Sequence, residues 1–146
     1  MRNLVVTSPT FMDGEHIPSK YTCDGEDVNP PLNMRGIPEG TKSLVLIVDD
    51  PDAPMGTWVH WVVWNIPPKG EIGEDSAPGT EGLNDFRKHS YGGPCPPSGT
   101  HRYFFKVHAL DTELDLKRNS RKRDVERAIK GHILAQGQLV GLYSRR

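Results

Sequence analysis

Cysteine is scarce in this chain, which has two, Cys23 and Cys95, among 146 residues. That number excludes a scaffold held by several disulfides, and it fits one bridge and two free thiols equally well. An excess of one charge is also missing, since 18 basic and 19 acidic residues leave a net charge of −1. We therefore expect no nucleic-acid partner.

Long apolar segments are missing too. No run approaches the ~20 apolar residues of a membrane span, and the first residues lack the apolar region of a signal peptide. We therefore expect a cytoplasmic protein without stable membrane insertion.

Glycine and proline, by contrast, are plentiful and indicate a β-rich domain. The 15 glycines and 13 prolines cluster between short apolar runs, a pattern typical of strands joined by turns. The length suits a single domain, residues 1–146, with one substantial core. We predict strands at residues 4–7, 44–48, 57–66, 102–110 and 138–144.

One helix is predicted near the C-terminal end, where apolar residues recur at helical spacing. The residues at this spacing are Val125, Ala128, Ile129 and His132 or Ile133. Asn119 or Ser120 is suited to cap the helix, and Gly131 either ends it or lies within it.

His60 lies in the most apolar run of the chain, WVHWVVW at residues 58–64. Burying a polar group without a partner costs about 1–3 kcal/mol in proteins, so His60 needs a partner or must line a pocket. Because side chains alternate along a strand, we expect His60 to share a face with Trp58, Val62 and Trp64.

Two carboxylates follow the predicted strand at residues 44–48, in the sequence DPDAP at residues 50–54. The prolines fix φ and hold the turn rigidly, and their tight spacing favours a cis bond between Ala53 and Pro54. We expect Asp50 or Asp52 to bind a histidine, orient it and favour its charged form.

The irregular stretch of residues 67–97 is longer than most connections, which favours a functional segment folded over one end of the sheet. It ends in GGPCPP at residues 92–97. Adjacent glycines allow a close backbone approach and N–H groups aimed at an anion. His101 and Tyr103 then lie on one face at a strand end, where their donors suit a phosphate or carboxylate.

Other site chemistries lack their motifs. The chain has no G-x-S-x-G, Walker A or G-x-G-x-x-G sequence, and no H-x-x-x-H or C-x-x-C spacing supports a metal site. We therefore expect no metal and no cofactor. The other histidines lie in contexts that favour no site role, and they are His16, His89, His108 and His132.

Three motifs, in this order and spacing, resemble the phosphatidylethanolamine-binding protein family, which includes Raf kinase inhibitor protein. They are DPDAP at residues 50–54, WVHW at 58–61, and GGPCPP at 92–97 followed by HRY at 101–103. The sequences YTCDG at 21–25 and GHILA at 131–135 are similar to the short bacterial and archaeal branch. The resemblance spans essentially the whole chain.

The resemblance implies a mainly β fold, an antiparallel β-sandwich with a C-terminal helix and a long Gly/Pro-rich loop. It also implies a small pocket at one end of a sheet that accepts phosphate-like anions and phosphoryl head groups. The matching positions are Asp50, Asp52, His60, Gly92, Pro94, His101 and Tyr103.

The leading functional hypothesis is a non-catalytic anion-binding module with a regulatory or inhibitory role. One alternative is a small hydrolase or lyase that uses an Asp–His pair as a general base. Another is an inhibitor that presents residues 67–97 to a protease or kinase. The protein partner and the oligomeric state, including a homodimer, stay open.

Overall fold

The computed structural model describes residues 2–145. The elements, in chain order, are β1 (Arg2–Asn3), β2 (Val5–Thr7), a 3₁₀ turn (Ser19–Tyr21), β3 (Leu32–Arg35), β4 (Ser43–Asp50), β5 (Trp58–Ile66), β6 (Glu71–Ile72), β7 (Thr80–Glu81), β8 (His101–Leu110), α1 (Lys122–Ile129) and β9 (Ile133–Tyr143).

Two sheets form the body of the protein. One has six strands in the order β1-β9-β8-β4-β5-β7, and the other has β2-β3-β6. The long strands pair antiparallel, whereas the short β1 runs parallel to β9. Val6 and Leu32 of the small sheet share one apolar cluster with Leu46 and Phe105 of the large sheet. The predicted mainly β class is confirmed.

Strand β4 is buried along its whole length, as its continuous apolar sequence predicts. Leu46 and Val48 face the cluster between the sheets. Val45 and Ile47 face the opposite side, where α1 covers the sheet. The strand therefore ends, at Asp50, in the interior of the protein rather than at its surface.

Strand β5 contains an extra residue at His60. Val48 of β4 pairs with Trp61, but the next residue, Asp49, pairs with Val59. His60 consequently has no partner in β4, and this two-against-one arrangement is a β-bulge.

The bulge changes which side chains share a face. Val62 and Trp64 pack beneath α1, whereas Trp61 belongs to the core between the sheets. His60 lines a cavity together with Trp58. The predicted shared face of His60 and Trp58 therefore exists, but the prediction that Val62 and Trp64 share it is wrong, because the bulge interrupts the alternation.

Helix α1 starts later than the sequence predicts. Arg121 precedes its first turn, and the Arg121 backbone N–H donates to the Asp124 carboxylate at 2.9 Å. The Ser120 carbonyl instead accepts the N–H of Leu83. The predicted caps Asn119 and Ser120 are therefore wrong, because a contact with the loop before β8 places Ser120 outside the helix.

The helix ends at Ile129, and Val125 and Ile129 are its buried residues. Gly131 lies just beyond the end with a φ of 81°, a conformation that glycine adopts without strain. His132 and Ile133 follow it outside the helix, so their predicted place in the helical pattern is wrong. Ile133 nevertheless packs against the same apolar cluster as Val125.

Residues 67–97 fold over the end of β5, as predicted for the long irregular segment. They contain β6 and β7 and are less irregular than expected. The N–H of Asp85 donates to the Val59 carbonyl, and that of Gly92 donates to the His60 carbonyl. No peptide bond within residues 2–145 is cis, so the predicted cis bond before Pro54 is wrong.

Truncating Val125 tests the packing of α1 on the large sheet. Val125 is fully buried, so V125A removes two methyl groups from a packed core. We expect the free energy of unfolding to fall by about 1–2 kcal/mol. Urea unfolding followed by circular dichroism measures this loss. The matched control is E126A at the neighbouring exposed position, which should change stability by less than about 0.5 kcal/mol. Equal effects of the two variants would contradict the packing described.

Candidate binding site

A cavity of about 240 Å³ opens where β4 ends and where β5 and β8 begin. Most of its lining is apolar, and its polar lining residues are Asp50, His60 and His101. The full lining is Asp50, Ala53, Pro54, Trp58, His60, Phe86, Cys95, Pro96, Pro97 and His101.

Asp50 and His101 form a buried pair. The Nδ1–H of His101 donates to Oδ2 of Asp50 at 2.6 Å. His101 is 7% exposed and Asp50 is 3% exposed. The backbone N–H of Asp52 donates to the other carboxylate oxygen, Oδ1, at 2.8 Å. Both oxygens of Asp50 are thus engaged, which fixes the carboxylate and through it the imidazole.

Asp52 lies outside the cavity lining. Its carboxylate accepts three hydrogen bonds from Arg102, one from the backbone N–H and two from the guanidinium. These bonds lower the pKa of Asp52 to about 2. Asp52 therefore holds the turn after β4 against the start of β8 and supports Asp50 from behind.

His60 has a backbone partner rather than a carboxylate. Its Nδ1–H donates to the Gly92 carbonyl at 2.7 Å, and the residue is 3% exposed. Burial lowers the pKa of His60, and this effect outweighs the hydrogen bond to Gly92 and the nearby charge of Asp50.

The partners of both imidazoles determine what the rings offer to a ligand. A carbonyl or a carboxylate only accepts, so Nδ1 carries the proton in His60 and in His101. The hydrogen bonds of the described residues use Nδ1 of these two rings and leave Nε2 for a molecule in the cavity. A neutral ring presents an acceptor at Nε2, and a protonated ring presents a donor.

Tyr103 lies against both histidines. Its ring meets the His60 ring edge-on at 5.3 Å and stacks on the His101 ring at 6.4 Å. Its buried hydroxyl has no hydrogen-bond partner among the described residues. Burial, and next the charge of Asp50, raise the pKa of Tyr103, so the group is a neutral hydroxyl. His101 and Tyr103 share a face, as the sequence predicts.

The two glycines of the GGPCPP segment contribute packing rather than anion-binding donors. The N–H of Gly92 donates to the His60 carbonyl, and that of Gly93 donates to the Asp27 carboxylate at 2.7 Å. The prediction that these amides face an anion is therefore wrong. A Cβ on Gly92 would meet the Phe86 ring, and one on Gly93 would meet the Tyr21 carbonyl, which explains why both positions are glycine.

Pro94 is buried behind the cavity wall, and its carbonyl accepts the N–H of Cys23 at 3.1 Å. Next to it, Cys95 forms a disulfide with Cys23. The sequence is compatible with a bridge or with two free thiols, and the structure contains the bridge. Pro94 therefore supports the site without lining it, while Cys95 lines it.

Phe86 is a lining residue that no motif in the sequence indicates. Its ring packs edge-on against Trp58 at 5.5 Å and against His60 at 5.3 Å. It is 37% exposed and comes from a loop whose local sequence is polar. The other apolar lining residues lie in, or directly beside, the three motifs singled out in the sequence.

Two further properties bear on the chemistry available. Residues 2–145 contain no group of three or more His, Cys, Asp or Glu side chains arranged to hold a metal ion. In the same part of the chain, no helix has both the length and the apolar composition of a membrane span.

Comparisons with known proteins agree with this architecture. The sequence model named phosphatidylethanolamine-binding protein matches residues 7–144. The UPF0098 protein of Pyrococcus horikoshii is 51% identical over 150 residues, which cover 95% of this chain and 76% of that protein.

Solved structures are similar over nearly the full length. A crystal structure of a phosphatidylethanolamine-binding protein homologue from Chlamydia trachomatis matches with a TM-score of 0.95 and 38% identity, covering 100% of both chains. Escherichia coli YbcL, described as a member of the mammalian PEBP family, matches with a TM-score of 0.89 and 33% identity, covering 99% of each chain.

The lowered pKa of His60 predicts how the protein responds to acid. Between the folded pKa and the ordinary value of about 6.5, the unfolded chain binds more protons than the folded protein. The free energy of unfolding should therefore rise with pH across this window, and H60Q should lose the His60 part of the rise. The part of the rise that His108 contributes should remain in H60Q, because burial lowers the pKa of His108 as well. Urea unfolding from pH 5 to 7, with NMR titration of His60, measures both quantities. A His60 midpoint at or above 6.5 would contradict the burial described.

Proposed function

Because this chain belongs to the phosphatidylethanolamine-binding protein family, we propose that its cavity binds a small phosphate-like anion or phosphoryl head group, and that the protein acts as a non-catalytic regulatory module. One observation carries the proposal: His60 and His101, each fixed through Nδ1, leave Nε2 for a molecule in the same small cavity. We place this activity in the cytoplasm as part of the proposal.

Protonation decides whether the cavity attracts an anion. With both rings neutral, Nε2 of each is an acceptor, and the Asp50 carboxylate beside them repels a negative ligand. With His101 protonated, the Asp50–His101 pair has no net charge and offers an N–H donor. An anion can supply the missing proton itself, or the protein can take one from solvent. For an anion that carries no proton of its own, binding is therefore coupled to the uptake of at least one proton from solvent.

Tyr103 and the apolar lining support the same function. The unpartnered Tyr103 hydroxyl is a donor next to both histidines. The rings of Trp58 and Phe86 give the cavity an apolar rim, and a ligand that covers them would displace water and strengthen its own hydrogen bonds. Of the seven positions implied by the family resemblance, Asp50, His60 and His101 line the cavity. Asp52, Gly92, Pro94 and Tyr103 would act by holding those three in place or from directly behind them.

Calorimetry with phosphoethanolamine and with sulfate between pH 5 and 8 tests the proposal. The affinity for both anions should increase as the pH falls, by at most about tenfold per pH unit for each proton taken up. Phosphoethanolamine changes its own charge near pH 6, whereas sulfate stays a dianion throughout this range. A pH dependence shared by both ligands would therefore assign the proton to the protein. Absence of binding, or binding that is independent of pH, would contradict the proposal.

The same calorimetry on histidine variants tests whether the anion binds in this cavity. H101A and H60A each remove one charge-assisted hydrogen bond, which is worth about 1.5–3 kcal/mol, so the affinity should fall at least tenfold. The matched control is H132A, because His132 pairs with Asp111 on the exposed surface and does not line the cavity. Equal affinities of H101A and H132A would place the anion elsewhere.

A second candidate function rests on the 2.6 Å hydrogen bond between Asp50 and His101. A neutral imidazole held by a carboxylate through Nδ1 can accept a proton at Nε2, which is the arrangement of a general base. The described cavity lining contains no serine, threonine or lysine, so the base would have to activate water. Hydrolysis of phosphate esters that H101A abolishes and H132A retains would favour this function over simple binding.

A further inference from the structure

We propose that the Cys23–Cys95 disulfide is a thiol-exchange site that controls the cavity, and that its reduction by a dithiol weakens anion binding. The proposal rests on the proposed function for its ligand, although the bridge and its surroundings are observed independently. The geometry singles out this bridge because Cys95 is both one half of it and a lining residue of the cavity.

The bridge joins two segments that lie outside the regular strands. Cys23 follows the Ser19–Tyr21 turn, and Cys95 precedes β8. The other links between these segments are non-covalent, namely the packing of Gly93 against Tyr21 and several hydrogen bonds. The N–H of Cys23 donates to the Pro94 carbonyl, and the Tyr91 hydroxyl donates to the Tyr21 carbonyl at 2.8 Å.

The disulfide is the last anchor of the cavity wall before β8. Within the described part of the chain, residues 96–100 make no hydrogen bond, and pairing resumes at His101. Pro96 and Pro97, which line the cavity, therefore lie between the bridge on one side and His101 on the other. Opening the bridge releases the wall next to the imidazole that we propose holds the anion.

The two cysteines differ in exposure. Cys95 is exposed, whereas Cys23 is partly buried, so we expect attack at Sγ of Cys95. A dithiol thiolate forms a bond to this sulfur while the bond between the two cysteines breaks, and Cys23 leaves as a thiolate. The second thiol of the reductant then displaces Cys95, which leaves as a thiolate in turn. The reductant becomes a cyclic disulfide, and the two electrons it loses reduce the protein bridge.

The effect on binding follows from chain freedom. In the folded protein the bridge ties Cys95 to Cys23, 72 positions away in the sequence, and so restricts a segment that strand pairing does not hold before His101. Without the bridge, residues 95–100 sample more conformations. An anion must then order them when it binds, which lowers the affinity.

The test compares oxidised and reduced wild-type protein. Dithiothreitol reduces the bridge, free thiols are counted under denaturing conditions, and calorimetry measures phosphoethanolamine binding by each form at one pH. We expect reduction to weaken binding about tenfold and to accelerate amide hydrogen exchange at Gly92, Gly93 and Cys95. The matched control is the double variant C23S/C95S, which should bind like the reduced form and should not respond to dithiothreitol. Should that variant fail to fold, the reduced wild-type protein carries the test alone.

The outcomes separate this proposal from the proposed function. Two free thiols in air-purified protein, or equal anion affinity in both redox forms, would overturn the redox control. If neither form binds the anion, the proposed function is wrong. Amide exchange then tests whether the bridge restrains the cavity wall. Faster exchange at residues 92–95 on reduction would support that control, and unchanged exchange would overturn it.

Discussion

The extra residue at His60 in β5 determines how His60 and Trp61 are directed at the cavity and the core. With strict alternation, His60 and Trp61 would lie on opposite faces of the sheet. The bulge allows Trp61 to enter the core between the sheets while His60 lines the cavity beside it. It also allows Val59 and Val62 to remain beneath α1. The Gly92 carbonyl offsets the cost of placing a polar ring so close to the core.

Much of the fold could be predicted because burial leaves a local signature. The continuous apolar sequence of β4 and the spacing of Val125 and Ile129 reflect which faces are covered. The bulge leaves no such signature, since an extra residue in an apolar run looks like any other apolar position. The start of α1 is similarly hidden, because Ser120 is held by Leu83, a contact between residues far apart in the chain.

The site residues likewise divide into those that the sequence reveals and those that only the fold brings together. Asp50 and His101 stand out in the sequence because carboxylates and imidazoles beside rigid turns are informative by residue type alone. Phe86 belongs to the site only because the loop folds over β5, so no local pattern reveals it. The prediction for the Gly92 and Gly93 amides is wrong for a physical reason. Glycine accommodates both a bound ligand and a neighbouring chain, and here the neighbours are Phe86 and Tyr21.

The proline-rich wall beside His101 has a consequence for recognition. Pro94, Pro96 and Pro97 have fixed φ angles, and the disulfide holds Cys95 between them. The conformational entropy of this wall is therefore lost when the chain folds and not when a ligand arrives. Because a preorganised wall is already ordered, a small molecule that binds there does not have to offset the entropy cost of ordering the protein. Under the proposed function, such a wall would select a ligand by shape as well as by charge.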